Sequence, residues 1–439
     1  MSTTSTFLPV YAQGDPGNGI AGYDLRSARD RSFAFDYDSS GKLDHIVLYR
    51  PGTGTIWIIR NQGGNFSTVY QQGDPGIGIG GYDLKSTADR AFAFDYDSSG
   101  KQDHIVLYRP GFGAIWILSN HGGQFSPVYA QGNGIGGYDL KSTADVVFPF
   151  DYKGTGNLDH LVLYRPGSGA IWILGHNGPT FAPVYQGDGG IGGYDLESYN
   201  DRAFGFDYDS SGKLDHLVLY RPGSGTIWIL RNQNGSFTPV YQQGDGIGIG
   251  GYDLQSTADS AFTFDYDKSG KLDHLVLYRP GTGTIWILKN SNGKFAPVYK
   301  QGDPGVGIGG YDLKSLADLV YAFDYNKTSK QDHLVLYRPG TGTIWLLKRS
   351  RGYPGQLMLK LLSVNLYLLS ASLPHFDYSH FSSSRKVYSH MNHSKSLQVE
   401  LGTFSYVLFV IQIHILAFLA FSRLSCSLPL AVVFMKFAI

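Results

Sequence analysis

The segment from Phe35 to Trp57 recurs six times along the chain. Most copies contain a Phe-Asp-Tyr triplet, an acidic loop, an apolar run, Tyr-Arg-Pro-Gly and Ile-Trp. The segment carries all six tryptophans of the protein, at steps of 59, 56, 56, 58 and 59 residues. These are Trp57, Trp116, Trp172, Trp228, Trp286 and Trp345. A period of this length predicts a repeat array or a β-propeller.

Each repeat predicts four strands, centred in the first copy on Phe33, Val47, Trp57 and Val69. The second and third strands are apolar on both faces, so both faces should be buried, as between the blades of a propeller. No helical period appears before residue 350. The sequence therefore predicts an all-β propeller of four-stranded blades.

The ends of the repeat region predict a closed ring. The chain begins on a fourth-type strand, Phe7 to Tyr11, whereas the sixth repeat has no such strand after Trp345. The N-terminal strand can therefore complete the sixth blade and protect its edge. The alternative is an open array, which would need dedicated capping repeats.

Composition divides the 439 residues at Arg351. We expect residues 1–350 to form the propeller of six repeats and 351–439 to be a non-repeat apolar tail. Lys plus Arg and Asp plus Glu are equal at 36 each, so no basic surplus points to nucleic acid. The single cysteine, Cys426, lies in the tail and excludes a disulfide framework.

The tail leaves two interpretations open. The stretch 403–422 is nearly long enough and apolar enough to span a bilayer, although Gln412 and His414 interrupt it. It is either a C-terminal membrane anchor or the translation of a mis-spliced message, and the second is favoured. The start at Met1 lacks the basic and apolar regions of a secretory signal. We therefore expect a cytoplasmic protein or one released without a classical signal, with membrane anchoring as the alternative.

The acidic loop after the first strand of a repeat is a candidate calcium site. Asp36, Asp38, Ser40 and Asp44 present alternate oxygen ligands, and Gly41 permits the sharp turn. Lys153 and Asn326 replace the second acid in repeats three and six. The alternative is an aspartate-rich turn that binds nothing. The full predicted metal set is Asp36, Asp38, Ser40, Asp44, Asp95, Asp97, Ser99, Asp103, Asp207, Asp209, Ser211, Asp215, Asp265, Asp267, Ser269 and Asp273.

The pattern Asp-x-Asp-x-x-Gly-x-x-Asp before an apolar strand resembles the FG-GAP, or VCBS-type, propeller repeat. With Tyr-Arg-Pro-Gly and Ile-Trp, residues 7–350 are similar to the propeller lectins of fungi and insect-pathogenic bacteria. The resemblance implies sugar binding, although FG-GAP propellers also serve adhesion receptors and toxins. His45 and its equivalents stand where that family usually has an apolar residue. Those lectins usually have seven blades, which leaves a seven-bladed parent protein open.

The loops before the first strand and after the second should share one face, opposite the acidic loops. This places an aromatic ring, a carboxylate and a guanidinium together, with Trp57 just beyond the turn, as a pyranose requires. The alternatives are a tryptophan core, a structural Arg–Asp ion pair and a structural histidine at position 45. The predicted carbohydrate set is Tyr23, Asp24, Arg50, Trp57, Tyr82, Asp83, Arg109, Trp116, Tyr138, Asp139, Arg165, Trp172, Tyr194, Asp195, Arg221, Trp228, Tyr252, Asp253, Arg279, Trp286, Tyr311, Asp312, Arg338 and Trp345.

Repetition around a ring favours multivalent binding over catalysis. A glycosidase needs two carboxylates in different environments, yet nearly every aspartate here is repeated and Glu197 is the one glutamate before residue 350. No nucleophile elbow or zinc-protease motif is present. We expect a non-enzymatic lectin whose partners are glycans or glycoconjugates. The alternative is a protein-binding adhesion or scaffold propeller.

Overall fold

The computed structural model describes residues 5–351, and these residues form strands, turns and loops without a helix. Twenty-four strands make six four-stranded antiparallel sheets. The first three sheets are β2(Arg31–Phe35) β3(His45–Arg50) β4(Thr55–Gln62) β5(Asn65–Gln71), β6(Arg90–Phe94) β7(His104–Arg109) β8(Ala114–His121) β9(Gln124–Gln131), and β10(Val146–Phe150) β11(His160–Arg165) β12(Ala170–Asn177) β13(Thr180–Gly187). The others are β14(Arg202–Phe206) β15(His216–Arg221) β16(Thr226–Gln233) β17(Ser236–Gln243), β18(Ser260–Phe264) β19(His274–Arg279) β20(Thr284–Ser291) β21(Lys294–Lys300), and β22(Leu319–Phe323) β23(His333–Arg338) β24(Thr343–Arg351) β1(Ser5–Ala12).

The sheets are the blades of a closed propeller, and we number them one to six in the order just given. The first strand of each blade lies beside the first strand of the next, and β22 returns to β2. The sixth sheet has the order β1-β24-β23-β22, so the N-terminal strand supplies its outer edge. The predicted six-bladed ring and its closure by the N-terminal strand are confirmed, and the open array is excluded.

The hydrophobic core lies between neighbouring blades. At the first junction Val47 and Ile58 of blade one pack with Ile105 and Leu107 of blade two. Equivalent clusters fill the other junctions, including the closure between blades six and one. The second strand β3 is buried along its whole length because each of its faces meets a neighbouring blade. The apolar runs of the repeat are thus explained by burial on two sides.

A buried tyrosine links each blade to the next. The Tyr49 hydroxyl accepts a hydrogen bond from the Ala91 amide of blade two at 3.0 Å. The same bond recurs at every junction, from Tyr108 to Val147, Tyr164 to Ala203, Tyr220 to Ala261, Tyr278 to Val320 and Tyr337 to Ser32. These bonds satisfy buried amides on the innermost strands, which would otherwise be costly to desolvate.

The chain divides into two units, Met1–Pro354 and Gly355–Ile439. The predicted tail and its candidate membrane segment, 403–422, lie outside the described residues. Within residues 5–351, no helix has the length and apolar character needed to cross a membrane.

Candidate functional site

The structure brings the predicted aspartate and arginine of each repeat into direct contact. Asp24 lies in the loop before the first strand, and Arg50 ends the second strand of the same blade. The Arg50 Nη2 atom donates to Asp24 Oδ1 at 2.6 Å. The pair recurs in every blade, as Arg109–Asp83, Arg165–Asp139, Arg221–Asp195, Arg279–Asp253 and Arg338–Asp312.

A second aspartate, which the sequence analysis missed, anchors this pair. Asp30 is fully buried and accepts hydrogen bonds from Arg50 Nε at 2.8 Å, Arg50 Nη2 at 3.0 Å and the Tyr23 hydroxyl at 2.8 Å. Its equivalents are Asp89, Asp145, Asp201, Asp259 and Asp318. An aspartate twenty residues before every arginine was the available signal. The arginine is therefore held by a buried bidentate ion pair.

The tyrosine of the predicted set is part of this buried support. Tyr23 is only 3% exposed, and its ring packs against Trp57 in a T-shaped arrangement at a centroid distance of 5.7 Å. The Arg50 guanidinium lies 5.6 Å from the Tyr23 centroid. Burial, followed by the charge of Asp30, raises the pKa of Tyr23 far above its usual value. The Tyr23 ring therefore offers no free face on which a sugar could stack.

Trp57 remains partly exposed, because a glycine lies beside its outer edge. A Cβ added to Gly22 would lie 3.4 Å from the Trp57 ring, and Gly22 has a positive φ of 91°. The equivalent glycines Gly81, Gly137, Gly193, Gly251 and Gly310 lie beside the other tryptophans. Only a residue without a side chain leaves this ring edge accessible. The site therefore combines a tryptophan edge, an arginine and a carboxylate.

The outer aspartate is charged and accessible at neutral pH. The side chain of Asp24 is 53% exposed. Partial burial would raise the pKa of Asp24, but hydrogen bonds from the Arg26 amide and Arg50 hold it below the usual value. Asp30 and Asp24 raise the pKa of Arg50 further above its usual range. The pair thus offers a fixed anionic acceptor beside fixed cationic donors.

In blades one, five and six, a loop of the chain itself covers the site. In blade one, Asp74 binds Arg50 Nη1, and the Gln72 carbonyl accepts from Trp57 Nε1 at 2.7 Å. Asp303 and Gln301 make the same contacts to Arg279 and Trp286, and Asp15 and Gln13 make them to Arg338 and Trp345. We call these three the closed sites.

Blades two, three and four have no such cover. Within residues 5–351, Arg109, Arg165 and Arg221 donate through Nε and Nη2 but make no hydrogen bond through Nη1. The indole nitrogens of Trp116, Trp172 and Trp228 likewise have no partner in this part of the chain, and they are not enclosed. We call these three the open sites.

The acidic loops are organised first by their own backbone amides. Asp36 is fully buried and accepts from the Ser40 amide at 2.8 Å and the Gly41 amide at 2.7 Å. Burial raises the pKa of Asp36, and it raises the pKa of Asp95 and Asp207 to about 6. This first aspartate of each loop closes an aspartate turn, as the non-metal alternative expects.

A smaller group of ligand atoms gathers beside that turn. The carboxylates of Asp38 and Asp44 and the His45 imidazole have ligand atoms within 4.8 Å of one another. The group recurs as Asp97, Asp103 and His104, as Asp209, Asp215 and His216, and as Asp267, Asp273 and His274. It draws two residues from each predicted metal set and adds a histidine. In blades one, four and five the serine hydroxyl instead donates to the first aspartate of its own set, with Ser40 Oγ 3.4 Å from Asp36 Oδ1.

Neighbouring lysines distinguish these four groups. Lys327 Nζ of blade six lies 3.3 Å from Asp44 Oδ2, and Lys289 Nζ lies 3.3 Å from Asp267 Oδ2. Burial would raise the pKa of Asp44, but His45 and Lys327 hold it below the usual value. Within residues 5–351, the groups of blades two and four have no such lysine contact. Two carboxylates without a competing cation fit a weak Ca²⁺ site better than the other two groups do.

Comparisons with known proteins bear on the fold alone. No family model matches the chain, and no curated protein matches it. A 6-phosphogluconolactonase-like protein from Bacteroides uniformis is 10% identical, with a TM-score of 0.39 over 69% of this chain and 77% of that one. The Swd1 β-propeller domain from Myceliophteria thermophila is 9% identical, with a TM-score of 0.39 over 72% of this chain and 96% of that domain. Likenesses this distant carry no functional assignment.

Proposed function

We propose that this protein is a multivalent lectin that binds carbohydrate on one face of its ring. The observation that carries the proposal is the sixfold Asp–Arg pair, in which the aspartate side chain is about half-exposed and the arginine lies beside a tryptophan. A sugar presents hydroxyl groups that both donate and accept, and C–H groups that pack on aromatic surface. A charged acceptor and a charged donor fixed 2.6 Å apart suit such paired hydroxyls.

The arrangement favours binding over catalysis. Hydrolysis of a glycosidic bond needs one protonated and one ionised carboxyl group, flanking the bond. Asp24 and its equivalents all share one environment, in which partial burial is outweighed by hydrogen bonds from a backbone amide and from the arginine, so that the carboxyl pKa lies below its usual value. Identical ionised groups supply repeated acceptors and no general acid.

A protein-binding scaffold is the second candidate, because apolar side chains also project from this face. Ile77, Ile247 and Val306 are exposed on the loops that precede the Asp–Arg pairs. Exposed apolar side chains at related loop positions would suit a protein partner. Such a partner would be bound without inhibition by any free sugar.

The test is binding of the purified full-length chain to a glycan array, followed by agglutination of glycan-bearing cells. We expect specific glycan spots and agglutination that a free monosaccharide blocks. Changing Asp24, Asp83, Asp139, Asp195, Asp253 and Asp312 together to Ala should abolish binding while far-ultraviolet circular dichroism stays unchanged. The change in one blade alone should cost little, because the other copies remain.

A matched control changes Lys42, Lys101 and Lys213 to Gln on the opposite face, and it should bind as the parent does. An array without any specific glycan, or a folded sixfold variant that still binds, would refute the lectin proposal at this site. Agglutination insensitive to every free sugar would favour the scaffold.

A further inference from the structure

The closed sites show which chemical groups the site accepts. In blade one the covering loop places a carboxylate, Asp74, on Arg50 Nη1 and on the Thr55 hydroxyl. The same loop places a carbonyl oxygen, that of Gln72, on the Trp57 indole nitrogen. Two acceptor groups separated by a short spacer thus satisfy three donors, of which the guanidinium and the indole N–H belong to the site. Blades five and six repeat this arrangement with their own loops.

The open sites keep the guanidinium and indole donors, but their loops place no acceptor on either donor. The segment from Val128 to Gly137 is three residues shorter than the equivalent Val69 to Gly81, and the segment from Val184 to Gly193 is equally short. Neither contains the Asp-Pro-Gly of the closed sites. In blade four Asp245 is present, but it accepts from Thr226 and forms no ion pair with Arg221. The length and sequence of this loop therefore explain why the arginine Nη1 atom is covered in the closed sites and uncovered in the open sites.

Exposure of the arginines agrees with this division. The side chains of Arg109, Arg165 and Arg221 are 21%, 29% and 23% exposed, whereas those of the closed sites are 9–11% exposed. The guanidinium edge that Asp74 covers in blade one therefore faces solvent in blades two, three and four.

From this we propose that the open sites bind an acidic saccharide, one that carries a carboxylate. Its carboxylate takes the position that Asp74 occupies in blade one, on the free Nη1 of the arginine. A hydroxyl or carbonyl oxygen of the same sugar accepts from the free indole N–H. The inference rests on the proposed lectin function and names its ligand class and its working sites.

Charge is compatible with this ligand. The Arg109 guanidinium already contacts two carboxylates, those of Asp83 and Asp89. The closed sites hold three carboxylates around one guanidinium: in blade six, Asp15 accepts from Arg338 Nη1, Asp312 accepts from Nη2, and Asp318 accepts from Nε and Nη2. A third carboxylate is therefore an arrangement that this fold already stabilises. Charge-assisted hydrogen bonds to Nη1 supply the specificity for an acid over a neutral sugar.

Exposed aromatic side chains lie near two of the open sites: Phe112, 65% exposed, follows Arg109 in blade two, and Tyr199 lies near Arg165 in blade three. Tyr199 is 82% exposed, and its ring lies against Gly167, two residues beyond Arg165. The equivalent positions in other repeats hold Ala28, Thr87, Thr143, Thr257 and Leu316. Stacking of sugar C–H groups on the Tyr199 ring adds to binding at the blade-three site.

The experiment is isothermal titration of the full-length chain with a short oligosaccharide ending in glucuronic acid. The same oligosaccharide ending in glucose, and the glucuronate methyl ester, are the neutral probes. We expect the acid to bind with about three sites per chain and at least about tenfold more tightly than either neutral probe.

Two sets of variants test whether the acid binds at the open sites. One set should weaken binding there, and the other should create further sites in the closed blades. Replacing Trp116, Trp172 and Trp228 with Phe keeps the rings but removes the indole donors, and should weaken binding of the acid about tenfold. Replacing Asp15, Asp74 and Asp303 with Ala uncovers the closed arginines, and should raise the number of acid sites from about three towards six. Circular dichroism and thermal melting establish that each variant is folded.

The outcomes separate this inference from the lectin proposal. Equal binding of acidic and neutral probes would overturn the inference and leave the lectin proposal standing. Binding of the acid that neither set of variants alters would overturn the assignment to the open sites. Binding of no saccharide at all would refute the lectin proposal itself.

Discussion

Two aspartates of one repeat contact the same arginine but differ sharply in their surroundings. Asp30 is fully buried and receives hydrogen bonds from the arginine, a tyrosine and the Ser27 amide. Asp24 is half-exposed and contacts the same guanidinium from the solvent side. Removing one partner from a buried ion pair leaves an uncompensated charge, whereas exposed pairs contribute little. We therefore assign Asp30 to stability, and we propose that Asp24 serves binding.

The different burial of the two aspartates predicts that replacing each with asparagine lowers the free energy of unfolding by a different amount. Asp30→Asn should lower the free energy of unfolding by about 3 kcal/mol or more, because the guanidinium stays buried without its main partner. Asp24→Asn should cost at most about 1 kcal/mol, because water replaces the lost contact. Chemical denaturation of both variants measures the difference. Equal costs would show that the two carboxylates share one structural role.

Individual residues also show which parts of the site could be predicted from the sequence and which could not. The loop topology placed Asp24 and Arg50 on one face, and the structure brings them together. The burial of Tyr23 could not be read from the sequence, because a tyrosine in a glycine-rich loop is equally compatible with a stacking surface. The buried Tyr23 hydroxyl donates to Asp30, a residue that resembled any other loop acid in the sequence. The covering role of Asp74 depended on loop conformation, although Asp-Pro-Gly in only some repeats was visible.

At the scale of elements, the strands were predictable from the sequence. Alternating apolar and polar residues indicate a strand with one buried face, whereas a continuous apolar run indicates a strand buried on both faces. The run from His45 to Tyr49 is buried throughout, as a strand between two blades requires. The pairing of β1 with β24 was predictable because the sixth repeat lacks a fourth strand, whereas the chain begins with one. The acidic loops were harder to assign, because an aspartate that binds amides and one that binds a cation occupy similar sequences.

We propose that the acidic loops of blades two and four bind Ca²⁺ weakly. At a calcium concentration ten times the dissociation constant, each site should add roughly 1.4 kcal/mol to the free energy of unfolding. Thermal melting with calcium and with chelator measures this stabilisation. Asp97→Asn combined with Asp209→Asn should remove it, and Lys153→Asp should build a further site in blade three. Sugar binding should persist in chelator, because these loops lie on the opposite face.

Two results would change that assignment. A melting temperature unaffected by calcium or chelator would leave these loops as aspartate turns. A larger shift with Zn²⁺ than with Ca²⁺ would instead assign the ion to His104 and His216, because imidazole is a preferred ligand of zinc and not of calcium.

At the scale of the whole molecule, the ring holds its copies of the site in fixed relation. The tyrosine bonds and the apolar clusters join every blade to both neighbours, so the copies cannot move independently. All copies lie on loops of one face, and the open sites occupy three successive blades. A rigid array facing one way can engage several ligands on a surface at once without an additional entropic cost for each.

Rigid multivalency predicts that affinity depends on ligand density. On a sensor surface, the chain should dissociate about 10²- to 10⁴-fold more slowly from a dense glycan layer than from a sparse one. A variant with Ala in place of Asp24, Asp83, Asp195, Asp253 and Asp312 retains only the site of Asp139. It should bind free saccharide with the affinity of one site and dissociate at the same rate from both layers. If the parent chain also dissociates at one rate from both layers, it uses a single site, and the sixfold repetition serves the fold rather than avidity.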